Sequence, residues 1–436
     1  MTTYTLAHRG VAALLVASLL AACATTDLPP ISAQGAGFEP LADEVALWQE
    51  ARGEEEILLA EVALYDDPLL ASYLDGLVAR LEPAGMAANP ALDYRVRVVA
   101  DTHLNAFAYP HGSIYVHSGL LARLDNEDQL ATVLGHEMSH VEYRHMLRHR
   151  RAAQNRAVAL SVAAVAAAVV VAGEEADAWR AGQWRKAAAI DVLGDLFIGL
   201  GLQLAFVAAV NGYGRDLEVE ADRGGFAKLE AAGYRAEEAP KMYQALLAAA
   251  GPESGRAATF FFGSHPRLSE REASARAWAA QREVAEAAPD RDDEFHRRLR
   301  PVVRDNGVLH LEAGRLAEAE IDLLRALDWL ADDPVTHYQI GRLRLAQADA
   351  ATDDDARFAR RAEAAGALRE AIRLDADFAA PHAQLGLLLY AEGDLAAACR
   401  SFGHYLELAP GAEDAPRIED YRRELAAEGM CSSPGR

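Results

Sequence analysis

Between Gly135 and His145 the chain reads GHEMSHVEYRH. Two histidines four residues apart on a helix turn their rings to one face, so His136 and His140 can share a metal ion. Glu137 lies about 100° around the helix axis from His136, so it need not ligate and can face a water molecule instead. A catalytic zinc needs a third protein ligand and an open coordination position. The run YGRDLEVEADRGGFAKL, 213–229, offers that ligand. Glu218 and Asp222 stand four apart on one face of a second helix whose other face carries Leu217, Ala221 and Phe226. Glu218 reads as the ligand and Asp222 as a carboxylate that steadies a ligating histidine. Glu220 competes for the role but points away from Asp222.

The elements around these residues can be read from periodicity. After Asp125, Ala131, Leu134, Met138 and Val141 recur at spacings of three and four, so the histidine pair sits on an amphipathic helix. Helical periodicity also runs from Leu41 to about Leu81, broken at Asp66-Asp67-Pro68, which opens a second helix. Between these helical stretches, YRVRVV (94–99) alternates like a strand, and NAFAYPHGSIYVHSGLL (105–121) reads as a hairpin turned at Pro110-His111-Gly112. Two apolar tracts follow, Ala157 to Ala172 and Ile190 to Val210. The second carries Asp191, Asp195 and Gln203, and charge at mid-bilayer is costly, which speaks against transmembrane spans. Both tracts read as buried core helices, or as a hairpin that covers the site and touches lipid or an apolar client.

Composition limits the functions open to the chain. Its 436 residues allow two or three domains, and 51% hydrophobic with 25% charged residues excludes wholesale disorder. A formal charge of -23 argues against nucleic acid as a partner. The N-terminal run VAALLVASLLAAC is too short to span a bilayer comfortably and matches a secretory signal. Its last residues, Leu20-Ala21-Ala22-Cys23, resemble the bacterial lipobox. That resemblance implies removal of residues 1–22, lipid on Cys23, and a periplasmic body anchored to the outer membrane. Residues 23–37, rich in Pro, Gly, Ser and Thr, read as a flexible tether. An oxidising compartment would allow Cys399 and Cys431 to pair and close the C-terminal helices; two separate thiols are the alternative.

The C-terminal third repeats itself. Gly307 and Gly341 are 34 residues apart, the tetratricopeptide period. Gly386 follows after 45, and the surplus falls at the charged stretch ADAATDDDARF, suited to a surface insertion. Small residues at Gly307, Gly341 and Gly386 would lie where paired helices approach, with large apolar side chains filling the seam. Such a groove usually takes a protein partner.

HEMSH followed by Glu218-Val219-Glu220-Ala221-Asp222 resembles the zinc metallopeptidase family of HtpX and the CAAX prenyl proteases. The 105–121 hairpin and FFFGSHPRLSER (260–271) look like that family's flanking segments. With a lipobox in front and tetratricopeptide units behind, the nearest likeness is to BepA-type periplasmic peptidases. The resemblance implies an α+β fold: a mainly helical gluzincin metallopeptidase domain with a small β-sheet (38–290), then an all-α tetratricopeptide-like solenoid (291–431). It implies one Zn2+ per chain on His136, His140 and Glu218, with Glu137 as catalytic base. It also implies a substrate-binding edge strand around Ser113 to His117. Arg215 is a candidate for holding the developing oxyanion, against an exposed structural arginine as the plainer reading. His265, before Pro266 and hence on a loop, resembles a gate that occupies the open zinc position and restrains proteolysis. A loop histidine anchoring the next helix is its alternative. The other histidines, including His145, His149, His111 and His117, read as surface or structural residues. The function implied is endoproteolysis of unfolded or stalled envelope proteins, with the repeats docking on clients or on outer-membrane assembly machinery. A chaperone or scaffold that works by binding, with proteolysis latent, is the competing reading.

Overall fold

The computed structural model describes residues 24–83, 86, 91–174, 213–250, 267–282 and 289–431, with side chains of 161–174, 250 and 289 left undescribed. Cys23, His265, the signal segment and the tract from Ile190 to Val210 lie outside the described residues. The chain divides into two compact units, Met1–Pro289 and Asp290–Arg436.

The first unit is helical around a small sheet. Helix α1 (Ala42–Glu61) ends before a short extended stretch, and α2 (Pro68–Leu81) restarts on Asp67, whose carboxylate accepts from the amides of Leu69 at 2.8 Å and Leu70 at 3.2 Å. Asp and Pro thus do at 67 and 68 what a helix start requires. Strands β1 (Arg95–Val99), β2 (Ala106–Ala108) and β3 (Ser113–His117) form one sheet in the order β1-β3-β2. β2 and β3 make the expected hairpin, and β1 adds in parallel to β3. Ser113–His117 is therefore the central strand, and the expectation of a substrate-binding edge there is wrong: β1 and β2 are the outer strands. Gly112 turns the hairpin at φ 105°, and a side chain there would meet the Asp93 carbonyl at 2.7 Å.

Helix α3 (Glu127–Glu142) is buried along its whole length. Asn126 caps it, its Oδ1 accepting from the Gln129 amide at 3.0 Å. Helix α4 (His145–Glu174) follows after a sharp break, and α5 (Arg215–Ala231), α6 (Glu238–Ala250) and α7 (Leu268–Ala279) are further described helices of the unit. The tract 157–172 lies on α4, where Leu160 is exposed. Among the described residues no helix is long and apolar enough to cross a membrane.

The segment expected as a flexible tether is ordered from Ala24 onward. It makes two 3-10 turns, Ile31–Ala33 and Gly35–Gly37, and buries Ile31 and Phe38. Asn155 on α4 brackets Ala24, accepting from its amide at 3.0 Å and donating to its carbonyl at 2.7 Å. Two apolar anchors and paired backbone groups outweigh a composition that reads as loop.

The second unit is a series of helical hairpins: α8 (Pro289–Glu312), α9 (Leu316–Trp329), α10 (Pro334–Ala350), α11 (Asp354–Leu374), α12 (Ala379–Glu392), α13 (Leu395–Leu408) and α14 (Ala415–Ala427). The three aligned glycines each face a large side chain of the paired helix. A Cβ added at Gly307 would meet Leu323 at 2.9 Å, at Gly341 Leu368 at 2.8 Å, and at Gly386 Phe402 at 2.5 Å. The surplus stretch is a surface insertion, built into the helices rather than into a loop. It lengthens the middle hairpin, so that α11 has 21 residues where α9 and α13 have 14. Its acidic run is absorbed at the start of α11, where Asp353 caps through the Ala356 amide at 2.8 Å. Cys399 and Cys431 are joined in a disulfide, their Cα atoms 5.5 Å apart.

Candidate metal centre

Helices α3 and α5 approach until their backbones touch. A Cβ on Gly225 would stand 3.1 Å from the His136 amide nitrogen and 3.2 Å from the Gly135 carbonyl carbon. This contact lays the Glu218–Asp222 face of α5 over the His136–His140 face of α3. Gly225→Val is expected to lower stability by about 1–3 kcal/mol through overpacking and to weaken metal binding. Urea unfolding and zinc competition read the two effects; no change in either would show that the contact does not set the site.

The three donors converge. His136 Nε2 and His140 Nε2 are 3.0 Å apart, and the Glu218 oxygens lie 3.5 Å from each. They form a group able to hold one metal ion, each residue buried. Tetrahedral ligands about 2.0–2.2 Å from zinc stand about 3.3–3.6 Å from one another, so the donor set and its spacing fit that ion. Glu137 is buried on the same helix. Tyr213 stacks on His140 with centroids 4.2 Å apart, and burial followed by the charges of Glu137 and Glu218 holds its phenol far above the ordinary range.

Asp222 Oδ1 lies 2.9 Å from His136 Nδ1. Nε2 faces the donor cluster, so the ring hydrogen belongs on Nδ1 and is donated to Asp222. Arg271 Nη2 is also 2.9 Å from that nitrogen, but a nitrogen bearing hydrogen cannot accept, so Asp222 is the partner. Arg271 grips Asp222 instead, through Nη2 to Oδ1 at 2.7 Å and Nε to Oδ2 at 3.0 Å. The Tyr243 hydroxyl donates to Asp222 Oδ1 at 2.9 Å, and Arg271 Nη1 stands 3.4 Å from Glu218 Oε2. Burial alone would raise the Asp222 pKa, but the Arg271 charge and the His136 hydrogen bond outweigh it and hold the carboxyl well below its usual range. For His136, burial and Arg271 push down, yet the bonds to Asp222 and Glu218 carry its pKa up to about 9.

On the other side, His145 has no exposure, and its Nδ1 is 2.9 Å from His140 Nδ1. Its Nε2 is 3.3 Å from Glu220 Oε2, which accepts from Arg148 Nη1 at 2.7 Å. Arg144, just before it, has φ 57°, a left-handed conformation costing of order 1–3 kcal/mol for a side chain of this kind. Its buried guanidinium is held by Glu44 on α1, Nε to Oε1 at 2.8 Å, and lies 5.5 Å over the Phe38 ring.

The structure thus brings together His136, His140, Glu218 and Asp222, with Glu137 buried next to His136 on the same helix. It does not bring Arg215 to them: that guanidinium is 64% exposed and stands 3.4 Å from Glu270. Sequence reasoning missed two residues. Arg271 appeared only as the end of a flanking segment, and His145 was set aside as surface or structural. A lone arginine far along the chain gives no signal in one sequence. His145 gave a faint one, closing the same eleven-residue run as the histidine pair.

A pair of helix-borne histidines with a glutamate from a second helix defines a gluzincin-type metallopeptidase centre. Residues 68–279, just under half of the chain, match the sequence model of peptidase family M48. The chain is 33% identical over 142 residues to the beta-barrel assembly-enhancing protease of Escherichia coli (strain K12), covering 31% of this chain and 29% of that one. To the protein of the same name from Yersinia pestis it is 31% identical over 187 residues, covering 43% and 35%. To the mitochondrial metalloendopeptidase OMA1 of Schizosaccharomyces pombe it is 27% identical over 252 residues, covering 57% and 66%. The matches span less than half the length of these bacterial relatives.

Proposed function

We propose that this chain is a zinc-dependent endopeptidase of the bacterial envelope, cutting unfolded or stalled envelope proteins. The observation that carries the reading is the buried, converging donor set of His136, His140 and Glu218 with Glu137 beside it. When bound there, zinc supplies Lewis acidity that polarises a scissile carbonyl and acidifies water. Glu137 takes the proton of the attacking water and hands it to the leaving amine nitrogen, so no acyl-enzyme forms. Asp222 and Arg271 fix the tautomer and tilt of His136.

The substrate strand is assigned to β2. The Asn105 carbonyl accepts from the His117 amide at 2.9 Å and the Tyr109 amide donates to Ser113 at 2.8 Å, so the odd-numbered peptides face β3. The backbone groups of Ala106 and Ala108 then point away from β3, the direction from which an extended chain would add a strand, and both residues are buried in the free protein. Ala108 and Pro110 line the same small crevice as His140 and Tyr213, which places that edge beside the metal ligands.

The lipobox-like Leu20 to Cys23 supports anchoring at the outer membrane with the body in the periplasm. The relatives' name, beta-barrel assembly-enhancing protease, supports outer-membrane assembly machinery or its stalled clients as what the repeats meet. Purified protein is expected to hold one zinc per chain, to cleave an unfolded reporter polypeptide, to lose that activity with 1,10-phenanthroline and to regain it with zinc. Protein without zinc, or cleavage untouched by the chelator, overturns the reading.

A further inference from the structure

Each ligating histidine has a second ring nitrogen, and the two are treated differently. His136 donates to a carboxylate that a buried arginine holds. His140 meets another imidazole: its Nδ1 is 2.9 Å from His145 Nδ1. With His140 Nε2 facing His136 and Glu218, its hydrogen sits on Nδ1 and points at His145. His145 must then accept at Nδ1 and carry its own hydrogen on Nε2, where Glu220 receives it at 3.3 Å. Arg148 holds Glu220 in place at 2.7 Å. Only one tautomer of each ring satisfies this series. The left-handed Arg144, clamped between Glu44 and Phe38, reverses the chain between α3 and α4 and so turns His145 back beneath His140.

We propose that His145, backed by Glu220 and Arg148, is the positioning residue for His140, holding it in its metal-binding tautomer and tilt. The site then has one charged arm, through Asp222, and one neutral arm, through His145. A neutral acceptor orients His140 without adding another negative charge beside the ion. The proposal rests on the reading of the site as a zinc centre, and the test separates the two.

The test uses the full chain, measuring zinc affinity by competition with a chromophoric chelator, the visible spectrum of the cobalt-substituted protein, and thermal unfolding of the metal-free form. His145→Leu is expected to weaken zinc binding by about 10–100-fold and to shift the cobalt bands. His145→Asn, which can place an amide oxygen where Nδ1 was, is expected to restore most of the affinity and the spectrum. Glu220→Ala is expected to weaken binding in the same direction by a smaller factor. Wild-type affinity and an unchanged cobalt spectrum in His145→Leu overturn the proposal while leaving the zinc centre standing. Equal losses in the Leu and Asn variants, matched by equal falls in metal-free stability, assign His145 to packing alone and also overturn it. If His145→Leu does not fold, Glu220→Ala decides: unchanged zinc affinity overturns the proposal. Absence of zinc from the wild type is the separate failure of the metal reading.

Discussion

Glu137→Gln is expected to leave zinc content at the wild-type value and to lower kcat/KM for peptide cleavage by about 100–10,000-fold, the usual contribution of a positioned general base. Glutamine keeps the shape and accepts hydrogen bonds but cannot take a proton. Glu137 is not among the three converging donors, so the metal has no reason to leave. Metal analysis beside steady-state kinetics reads both halves. Full activity in the variant would remove Glu137 from the chemistry, and loss of zinc would make it a ligand. Envelope complementation with the same variant tells cutting from binding, because a scaffold has no need of a base.

Arg271→Met is expected to destabilise the metal-free protein by about 3–5 kcal/mol, the cost of leaving a buried partner charge uncompensated. Asp222 and Glu218 are both buried, and Arg271 is the permanent cation that meets both, with protonated His136 beside it in the metal-free form. Zinc would restore part of the missing positive charge, so the loss should be smaller in the loaded protein. Adding Asp222→Asn should recover part of the stability by removing the stranded charge. The Asp222 pKa is depressed in the folded state, so its contribution is complete above the unfolded value of about 3.9 and fades only as pH falls toward the lower folded one. The Arg271→Met deficit should therefore be flat between pH 5 and 8, where His136, with a pKa of about 9, stays protonated in the metal-free form. Urea unfolding across that range is the measurement. A deficit under about 1 kcal/mol would place the pair among exposed, weakly contributing ones.

The parts of the site legible in the sequence are those whose geometry is local. His136 with His140, and Glu218 with Asp222, share faces because a helix repeats every 3.6 residues. The repeat glycines were legible for a similar reason, since a helical hairpin pairs near neighbours in the chain. Contacts made across the fold were not. The pairing of β1 beside β3 depends on a crossover that the hairpin residues do not encode, which is how a central strand was taken for an edge. Arg271 reaches Asp222 from 49 residues away. His145 stands on a new helix after a left-handed residue, so the helical period that linked the first two histidines predicts nothing about the third. Residues 24–37 have the composition of a linker, yet Ile31 finds an apolar site, and one buried side chain is enough to fix the path of a short segment.

The meeting of Gly135 and Gly225 acts as a pair of calipers. Helices spaced by side chains can drift apart or together as those side chains change in evolution, and whatever lies between them is retuned each time. Here the gap is set by one peptide backbone resting on another, the least variable thickness a protein possesses. The jaw that measures the metal is thereby insulated from substitutions elsewhere on the same helices. New preferences for what is cut would have to be written on other surfaces, such as the rim of the sheet, without disturbing the jaw.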